Sequence, residues 1–253
     1  PQPGKCPQCG SHRIRYFGTG TQKVEAALQE LLPQARTLRW DRDTTEGKNS
    51  HEIILQQFIN HEADVLIGTQ MIAKGLDLPL VTLVGVISAD TNLHLPDFRS
   101  SERTFQLLAQ VAGRAGRSLL GGRAIIQTYA PDSYAIECAA AHDYEAFAKR
   151  ELEFRQQTAY PPFTRLARLL VRDTSADRVK QAAEKVAAQL TAVLTRHGIA
   201  RDAIIGPAPC FFSKIRDQYR WQIALRHPDP VLIVRELRLS PVWRIDIDPI
   251  SML

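Results

Sequence analysis

Two arginines near the middle of the sequence have the spacing of a phosphate-binding pair. The run Q-V-A-G-R-A-G-R at 110–117 places Arg114 and Arg117 three residues apart, on one side of a helical turn, after Gln110. Its glycines allow another surface to approach the backbone closely. A guanidinium held there can stabilise the charge on a departing γ-phosphate, the role of an arginine finger. Arginines among glycines can equally bind any acidic surface, so both interpretations stay open.

A second candidate for phosphate contact lies upstream, directly after an apolar run. Residues 68–79 read G-T-Q-M-I-A-K-G-L-D-L-P. A strand that ends in Gly-Thr can offer a hydroxyl and backbone N–H groups to a phosphate, and Asp77 could bind a ribose or brace an arginine. An ordinary loop between a strand and a helix remains the alternative, although the two motifs in this order are less easily explained by chance.

The cysteines predict half of a metal site. Cys6 and Cys9 have the C-x₂-C spacing that directs two thiolates to one tetrahedral zinc ion. A closed site needs four ligands, and Cys138 and Cys210 are isolated, so we expect them to be buried thiols. This chain alone is therefore expected to leave the pair exposed and without metal. Four cysteines are too few for a disulfide scaffold, which indicates a reducing compartment.

Cations and aromatic residues alternate between Phe211 and Trp221, in a segment that we expect to be a loop leading into a strand. Aromatic rings can stack on exposed bases while lysine and arginine contact phosphates. The candidates for DNA contact are Lys214, Arg216, Arg220 and Trp221. The alternative is that Trp221 belongs to the core and that the cations are merely solvated.

Charge is distributed unevenly along the chain. Residues 151–253 hold 16 Lys and Arg against 11 Asp and Glu, which accounts for the whole net charge of +5. This asymmetry favours a polyanionic partner for the C-terminal part. The 44% apolar and 23% charged content excludes a disordered chain, and no apolar run is long enough to span a membrane. The start at Pro1 lacks the pattern of a secretory signal and suggests a cut within a longer protein.

The first half alternates between strand-like and helix-like segments, which predicts a parallel α/β sheet that binds ligands at the carboxyl ends of its strands. We expect the apolar segments 63–68 and 81–88 to be strands buried on both faces. Thr21 is predicted to cap the first helix. The expected strands are 13–17, 36–40, 63–68, 81–88 and 123–128, and the expected helices are 21–32, 50–60 and 101–112.

A helical connector is expected at 134–157, and the chain must leave helix at Pro161 and Pro162. Beyond this boundary the order is strand, helix, strand, twice over, which predicts a small split-βαβ sandwich of the α+β class. The expected strands are 165–171, 203–206, 220–226 and 242–247, and the expected helices are 175–197 and 230–239.

The two phosphate motifs resemble motifs V and VI of superfamily 2 helicases. Longer stretches resemble the primosomal protein N′ (PriA) family, and the likeness covers nearly the whole chain. The most specific is A-D-T-N-L-H-L-P-D-F-R-S-S-E-R-T-F-Q-L-L-A-Q-V-A-G-R-A-G-R at 89–117. The others are G-T-G-T-Q at 18–22, D-R-D-T-T at 41–45, Y-P-P-F at 160–163, G-P-A-P at 206–209, Y-R-W-Q at 219–222 and D-I-D-P at 246–249.

This resemblance implies four segments: the end of a zinc-binding cysteine-rich insertion (1–10), a RecA-like second helicase lobe (11–133), the connector (134–157) and an S10-like C-terminal DNA-binding domain (158–253). It implies that Arg114 and Arg117 face the ATP phosphates. It further implies that Gly75 and Asp77 touch the nucleotide, and that the DNA backbone runs along Thr21, Thr69 and Gln70.

The function implied is that of an ATP-dependent 3′-to-5′ DNA helicase that binds stalled or branched forks and restarts replication by primosome assembly. Its expected partners are branched and single-stranded DNA, single-stranded DNA-binding protein and other primosome proteins. It is expected to be a monomer in the bacterial cytoplasm, at the nucleoid. Two alternatives remain: a RecG-like fork-remodelling helicase, which shares motifs V and VI, and a non-catalytic nucleic-acid-binding protein that retains the shape of a motor lobe.

One part of the motor is missing from this sequence. It contains no G-x-x-x-x-G-K-[ST] run and no D-E-x-x box, the segments that hold the ATP phosphates and Mg²⁺. ATP and Mg²⁺ would therefore be bound mainly by a first lobe, and we expect this chain alone to be inactive.

Overall fold

The chain folds into two compact units. The structure, a computed structural model, describes residues 10, 20–41, 44, 45, 50–70, 78, 80–115 and 121–253, without the side chains of residues 114 and 115. The first unit comprises the described residues up to Leu93 together with Thr104–His142. The second comprises His94–Arg103 and Asp143–Leu253. The predicted strand at 13–17 lies outside the described residues.

The first unit is built from parallel strands and helices. Strand β1 pairs with β2 and β3 pairs with β4, both in parallel, which confirms the predicted α/β class. In chain order the elements are α1 (Thr21–Leu31), β1 (Thr37–Trp40), α2 (Ser50–Ile59), β2 (Val65–Gly68), β3 (Leu83–Val86), α3 (Asp90–Leu93), α4 (Ser100–Ala115), β4 (Arg123–Ile126) and α5 (Tyr134–Ala140).

Two local predictions in this unit are wrong. Gly20, not Thr21, is the N-cap of α1, because the Thr21 hydroxyl instead donates a hydrogen bond of 2.5 Å to Asp41 Oδ2. The pair β3–β4 is also not buried on both faces, since Leu83 is 58% and Ile125 is 54% exposed. A short apolar run does not by itself distinguish a strand buried on both faces from one with an exposed face.

The second unit contains one four-stranded antiparallel sheet. Its strand order is β6-β7-β5-β8, which confirms the predicted split-βαβ arrangement. The elements are α6 (Tyr144–Gln157), β5 (Arg165–Asp173), α7 (Ala176–Arg196), a 3₁₀ turn (Arg201–Ala203), β6 (Ile204–Ile215), β7 (Gln218–His227), α8 (Pro230–Arg235) and β8 (Arg244–Ile247).

Helices α7 and α8 cover one face of this sheet. Ser175 accepts a hydrogen bond from the backbone N–H of Arg178 and caps α7, and Asp229 caps α8 in the same way. The apolar stripe of α7 then meets alternate residues of β5 and β7, because side chains in a strand point to opposite faces in turn. The buried core contains Leu169, Val186, Leu190, Leu194, Ile223, Leu225 and Ile233.

The segment before β7 is a strand, not the loop expected from the sequence. Strand β6 continues to Ile215 and forms a hairpin with β7. Its two turn residues, Arg216 and Asp217, have φ angles of 49° and 59°, as the tightest hairpin turns require. At the start of β6, Gly206 has φ +99°, and a Cβ atom there would lie 3.0 Å from the carbonyl oxygen of Gln222. Only glycine fits this approach.

The predicted connector at 134–157 is divided between the two units. Helix α5 belongs to the first unit and α6 to the second. The short segment His94–Arg103 also belongs to the second unit, where Arg155 of α6 donates a hydrogen bond of 2.8 Å to Glu102. In the described part of the chain, no helix combines the length and the apolar character that crossing a bilayer requires.

Candidate functional site

The carboxyl end of β2 presents two of the predicted DNA contacts. Thr69 and Gln70 follow the strand directly and are exposed. They occupy the edge at which parallel strands of this class bind ligands. Gly75 and Asp77, the predicted nucleotide contacts, lie outside the described residues, so their roles stay predictions.

Helix α4 carries the predicted arginine motif at its C-terminal end. Phe105, Leu108 and Ala112 are buried along one side of the helix, in the part that belongs to the first unit. Gln110 is half-buried, and the backbone of Arg114 lies in the last turn before Ala115. The side chain of Arg114 and all of Arg117 lie outside the described part of the chain. A helix held by its apolar side is suited to positioning groups at its end.

Thr21 takes part in a polar cluster around Asp41. The carboxylate of Asp41 is buried and receives hydrogen bonds from the Thr21 hydroxyl and the Thr44 backbone N–H, while Arg39 Nε lies 2.8 Å away. The hydrogen bond from Thr21 is the main cause that lowers the pKa of Asp41, against the opposing effect of burial. The Thr21 hydroxyl is thus committed to Asp41, a contact that sequence reasoning missed although D-R-D-T-T marks its position.

A second buried carboxylate, Asp90, connects two elements of the first unit. It lies at the start of α3 and accepts hydrogen bonds from Thr128 Oγ1 at 2.8 Å and from the Tyr129 backbone N–H at 3.2 Å. Asp90 therefore anchors the segment that follows β4. Sequence reasoning assigned it no role beyond its place in the long family motif.

Asp97, from the same motif, anchors the C-terminal residues within the second unit. Its Oδ2 accepts hydrogen bonds from Ser251 Oγ at 2.8 Å and from the Met252 backbone N–H at 3.0 Å, and Arg103 lies 2.9 Å away. Burial raises the pKa of Asp97, but its hydrogen bonds, the Arg99 backbone N–H first among them, and the charge of Arg103 lower it overall. No sequence pattern indicated this contact.

The β6–β7 hairpin presents several of the predicted DNA contacts to solvent. Phe211 and Phe212 are 50% and 54% exposed, with ring centroids 5.0 Å apart in an edge-to-face arrangement. Arg216 is exposed at the turn. Lys214 lies 3.1 Å from Asp217, whose hydrogen bond raises the pKa of the lysine, and 5.3 Å from the centre of the Tyr219 ring. The hairpin tip thus combines cations with exposed aromatic rings.

Arg220 and Trp221 differ from their expected surface positions. Trp221 packs against Val171 and Val179 on the helix-covered face, so its predicted stacking on bases conflicts with its place beside the core. Arg220 points to the opposite face and is only 8% exposed. Its Nη1 donates to the carbonyl oxygen of Phe212 at 3.3 Å. The cause is strand alternation, which places neighbouring residues on opposite faces of the sheet.

The predicted metal ligands Cys6 and Cys9 lie outside the described residues. Within the described residues, no three His, Cys, Asp or Glu side chains converge as a metal site. Cys138 and Cys210 are buried and free, which confirms their predicted burial.

Comparison with known proteins finds two family models that match successive parts of the chain. Residues 10–118 match the family model of the helicase conserved C-terminal domain, and residues 156–250 match that of the primosomal protein N C-terminal domain. The chain is similar to Replication restart protein PriA of Bacillus subtilis, with 49% identity over 90% of this chain and 28% of the relative. For the proteins of the same name from Synechocystis and Chlamydia muridarum, identity is 41% and 40% over 99% and 97% of this chain.

The chain covers 31% and 34% of those last two relatives, so it spans about a third of the length of the proteins that it matches. Both compact units nevertheless lie within the matched region. The part of the chain with the parallel strands β1 to β3 matches a helicase C-terminal domain, and the part with the antiparallel sheet matches a primosomal C-terminal domain. The chain belongs to the PriA family of replication restart proteins.

Proposed function

We propose that the protein to which this chain belongs is an ATP-dependent 3′-to-5′ DNA helicase that binds stalled or branched forks and restarts replication by primosome assembly. The observation that carries this proposal is the combination of a helicase C-terminal domain with a primosomal C-terminal domain in one chain. The primosomal domain disfavours a RecG-like enzyme. The pair Arg114 and Arg117 disfavours a non-catalytic binding protein.

In this proposal the end of α4 acts on the nucleotide. Arg114 and Arg117 contact the ATP phosphates, Gln110 lies one turn earlier, and Gly75 and Asp77 contact the nucleotide from the segment after β2. Phosphoryl transfer depends on positioned positive charge more than on covalent chemistry by the protein. ATP and Mg²⁺ are held mainly by a first lobe, since this sequence lacks the phosphate-binding lysine motif.

Zinc and protein partners also belong to the proposal. Cys6 and Cys9 supply two of the four thiolates of a closed zinc site, and other cysteines of the same protein supply the rest. The protein acts as a monomer in the cytoplasm. Single-stranded DNA-binding protein and other primosome proteins assemble on it at the fork.

DNA contact in the second unit is assigned to the hairpin tip. Phe211 and Phe212 are exposed beside Lys214 and Arg216, a combination suited to stacking on bases and contacting phosphates. Arg216 has no hydrogen bond or ion pair with any residue that the structure describes, so its charge is available to a ligand. Thr69 and Gln70 supply a further contact in the first unit.

Steady-state ATPase measurements test the motor assignment. In the complete protein, Arg114→Ala or Arg117→Ala should lower kcat by about 10³-fold or more with little change in DNA affinity, since an arginine finger acts in the transition state. The chain alone should show no DNA-stimulated turnover. Loss of DNA binding with normal turnover per bound complex would instead identify the two arginines as DNA contacts.

Salt titrations of DNA binding test the hairpin. Arg216→Ala in this chain should reduce the slope of log affinity against log salt by about one. Phe211→Ala or Phe212→Ala should weaken binding by about 1–3 kcal/mol with little change in slope. Arg201→Ala, an exposed arginine of the 3₁₀ turn, is the matched control. If the wild-type chain has no affinity for single-stranded or forked DNA at about 50 mM salt, the assignment fails.

A further inference from the structure

The face of the four-stranded sheet opposite α7 and α8 contains a cavity of about 190 Å³. Four arginines line it, Arg168 and Arg172 of β5, Arg220 of β7 and Arg244 of β8, together with Asp246 and the final residue, Leu253. The volume corresponds to about six water molecules at about 30 Å³ each. The cavity is therefore large enough for a small polar ligand.

Strand alternation and register bring the arginines together. Arg172 and Arg220 are directly opposite each other on β5 and β7, and Arg244 of β8 is opposite Leu170 of β5. Residues that are directly opposite in antiparallel strands have Cβ atoms about 4.5–5.5 Å apart, and like charges at such positions destabilise a sheet. A bound anion would offset the repulsion between these arginines.

The arginines differ in their hydrogen bonds. Arg168 is satisfied: its Nε donates to Gln222 Oε1 at 2.7 Å and its Nη1 to the carbonyl oxygens of Ser251 and Leu253. Arg220 is almost fully buried, and its Nε has no hydrogen-bond partner among the described residues. A buried donor without a partner is destabilising, and this one belongs to a side chain that lines the cavity.

Arg172 and Arg244 are exposed at the mouth of the cavity and make no hydrogen bond or ion pair with the described residues. Two other exposed arginines of the same unit do have carboxylate partners. Arg165 lies 2.6 Å from Asp248, and Arg178 lies 2.7 Å from Asp173. Asp246 lines the cavity without pairing with an arginine among the described residues. The guanidinium groups here are thus left for a ligand.

We propose that this cavity binds a phosphate group of the DNA backbone. The two exposed guanidinium groups suit a tetrahedral oxyanion, which accepts several charge-assisted hydrogen bonds at once. Because Arg220 also bonds to the backbone of Phe212, the cavity adjoins the strand with the exposed phenylalanines. The inference rests on the proposed DNA binding and adds a contact on the sheet that is separate from the hairpin tip.

The test uses this chain and two exposed arginines whose replacement leaves the fold intact. Fluorescence anisotropy with a labelled single-stranded oligonucleotide compares the wild type with Arg172→Gln/Arg244→Gln over a range of salt. The double variant should bind about tenfold more weakly, and its log–log salt slope should fall by about 0.7 for each phosphate that the protein no longer neutralises. Arg235→Gln, an exposed arginine of α8 on the other side of the sheet, removes one charge and should change the slope by much less than half of the change in the double variant.

A second measurement separates a backbone phosphate from a free one. Inorganic phosphate should raise the Tm of the wild type above that in chloride of equal ionic strength, and this rise should vanish in the double variant. A rise in Tm without any effect on DNA binding would overturn the DNA assignment and identify a site for free phosphate. Neither effect, while Arg216→Ala still weakens DNA binding, would refute the cavity site and leave the hairpin proposal standing.

Discussion

The two faces of the four-stranded sheet use the same strands for different purposes. On one face, Leu169, Ile223 and Leu225 are fully buried beneath the helices. On the other, the neighbouring positions of the same strands include Arg168, Arg172 and Arg220. Because successive side chains of a strand point to opposite sides, a single segment can encode stability and ligand contact independently. Substitutions on the two faces should therefore have separable effects.

The largest difference is expected in stability. Leu169→Ala removes a fully buried side chain and should reduce the free energy of unfolding by about 2–5 kcal/mol, through reduced apolar burial and a cavity. Arg172→Gln, three residues further along β5, should change it by less than about 0.5 kcal/mol. Urea denaturation followed by tryptophan fluorescence measures both, since Trp221 and Trp243 lie against this core. Similar decreases in the two variants would break the comparison.

A smaller effect is expected at Glu102, a carboxylate with two arginine partners. The hydrogen bond from Arg99 is the main cause that lowers its pKa to about 2; the hydrogen bond from Arg155 lowers it further, and partial burial opposes both. A carboxylate with a lowered pKa stabilises the fold above its unfolded-state pKa, and this contribution is lost as pH falls towards about 2. Glu102→Gln should therefore be less stable than the wild type near neutral pH, and the difference should shrink below about pH 4.

Thermal denaturation at several pH values measures this difference. Other carboxylates of the wild type also titrate in this range, so only the difference between the two proteins reports on Glu102. Glu145→Gln is the control, since Glu145 is exposed and has no ion pair among the described residues. A difference that does not depend on pH would show that Glu102 acts through packing alone.

The smallest effect is expected at an exposed pair. Arg165 and Asp248 lie 2.6 Å apart with 45% and 48% of their side chains exposed. Asp248→Asn should lower stability by less than about 1 kcal/mol, because solvent screens such pairs. Asparagine suits the φ of 52° at this position, so the backbone need not change. A small decrease in Tm would indicate that an exposed arginine of this unit needs no carboxylate partner for stability, which is the situation of Arg172 and Arg244. A large decrease in Tm would contradict this interpretation.

The sequence predicted the fold class and most elements because their apolar periodicities are regular. The β6–β7 hairpin was missed for two physical reasons. Proline is unfavourable inside a sheet, but Pro207 and Pro209 lie in β6, an edge strand, where proline need not disturb a ladder. Arg216 and Asp217 adopt a turn that the sequence signals of glycine and asparagine do not predict.

The candidate site was predicted unevenly. Local motifs and the family resemblance pointed to Thr69, Gln70, Arg114 and Arg117, because those positions lie in contiguous runs, and their roles stay predictions. The arginine face was not predicted, since Arg172, Arg220 and Arg244 come from three strands whose register no local pattern reveals. The roles of Asp41, Asp90 and Asp97 likewise depend on partners distant in sequence.

The hydrogen bonds of Asp97 limit which segments of this protein can be exchanged with those of a related protein. Asp97 lies in the stretch that matches the helicase domain, yet its carboxylate receives hydrogen bonds from Ser251 and Met252 beyond the primosomal match. A gene fusion that transfers residues 143–253 to another helicase would leave these donors without their acceptor unless the recipient carries an acidic residue in the same place. The two domains are thus exchangeable only as a matched set, and a suppressor of a substitution at Asp97 is to be sought among the last three residues.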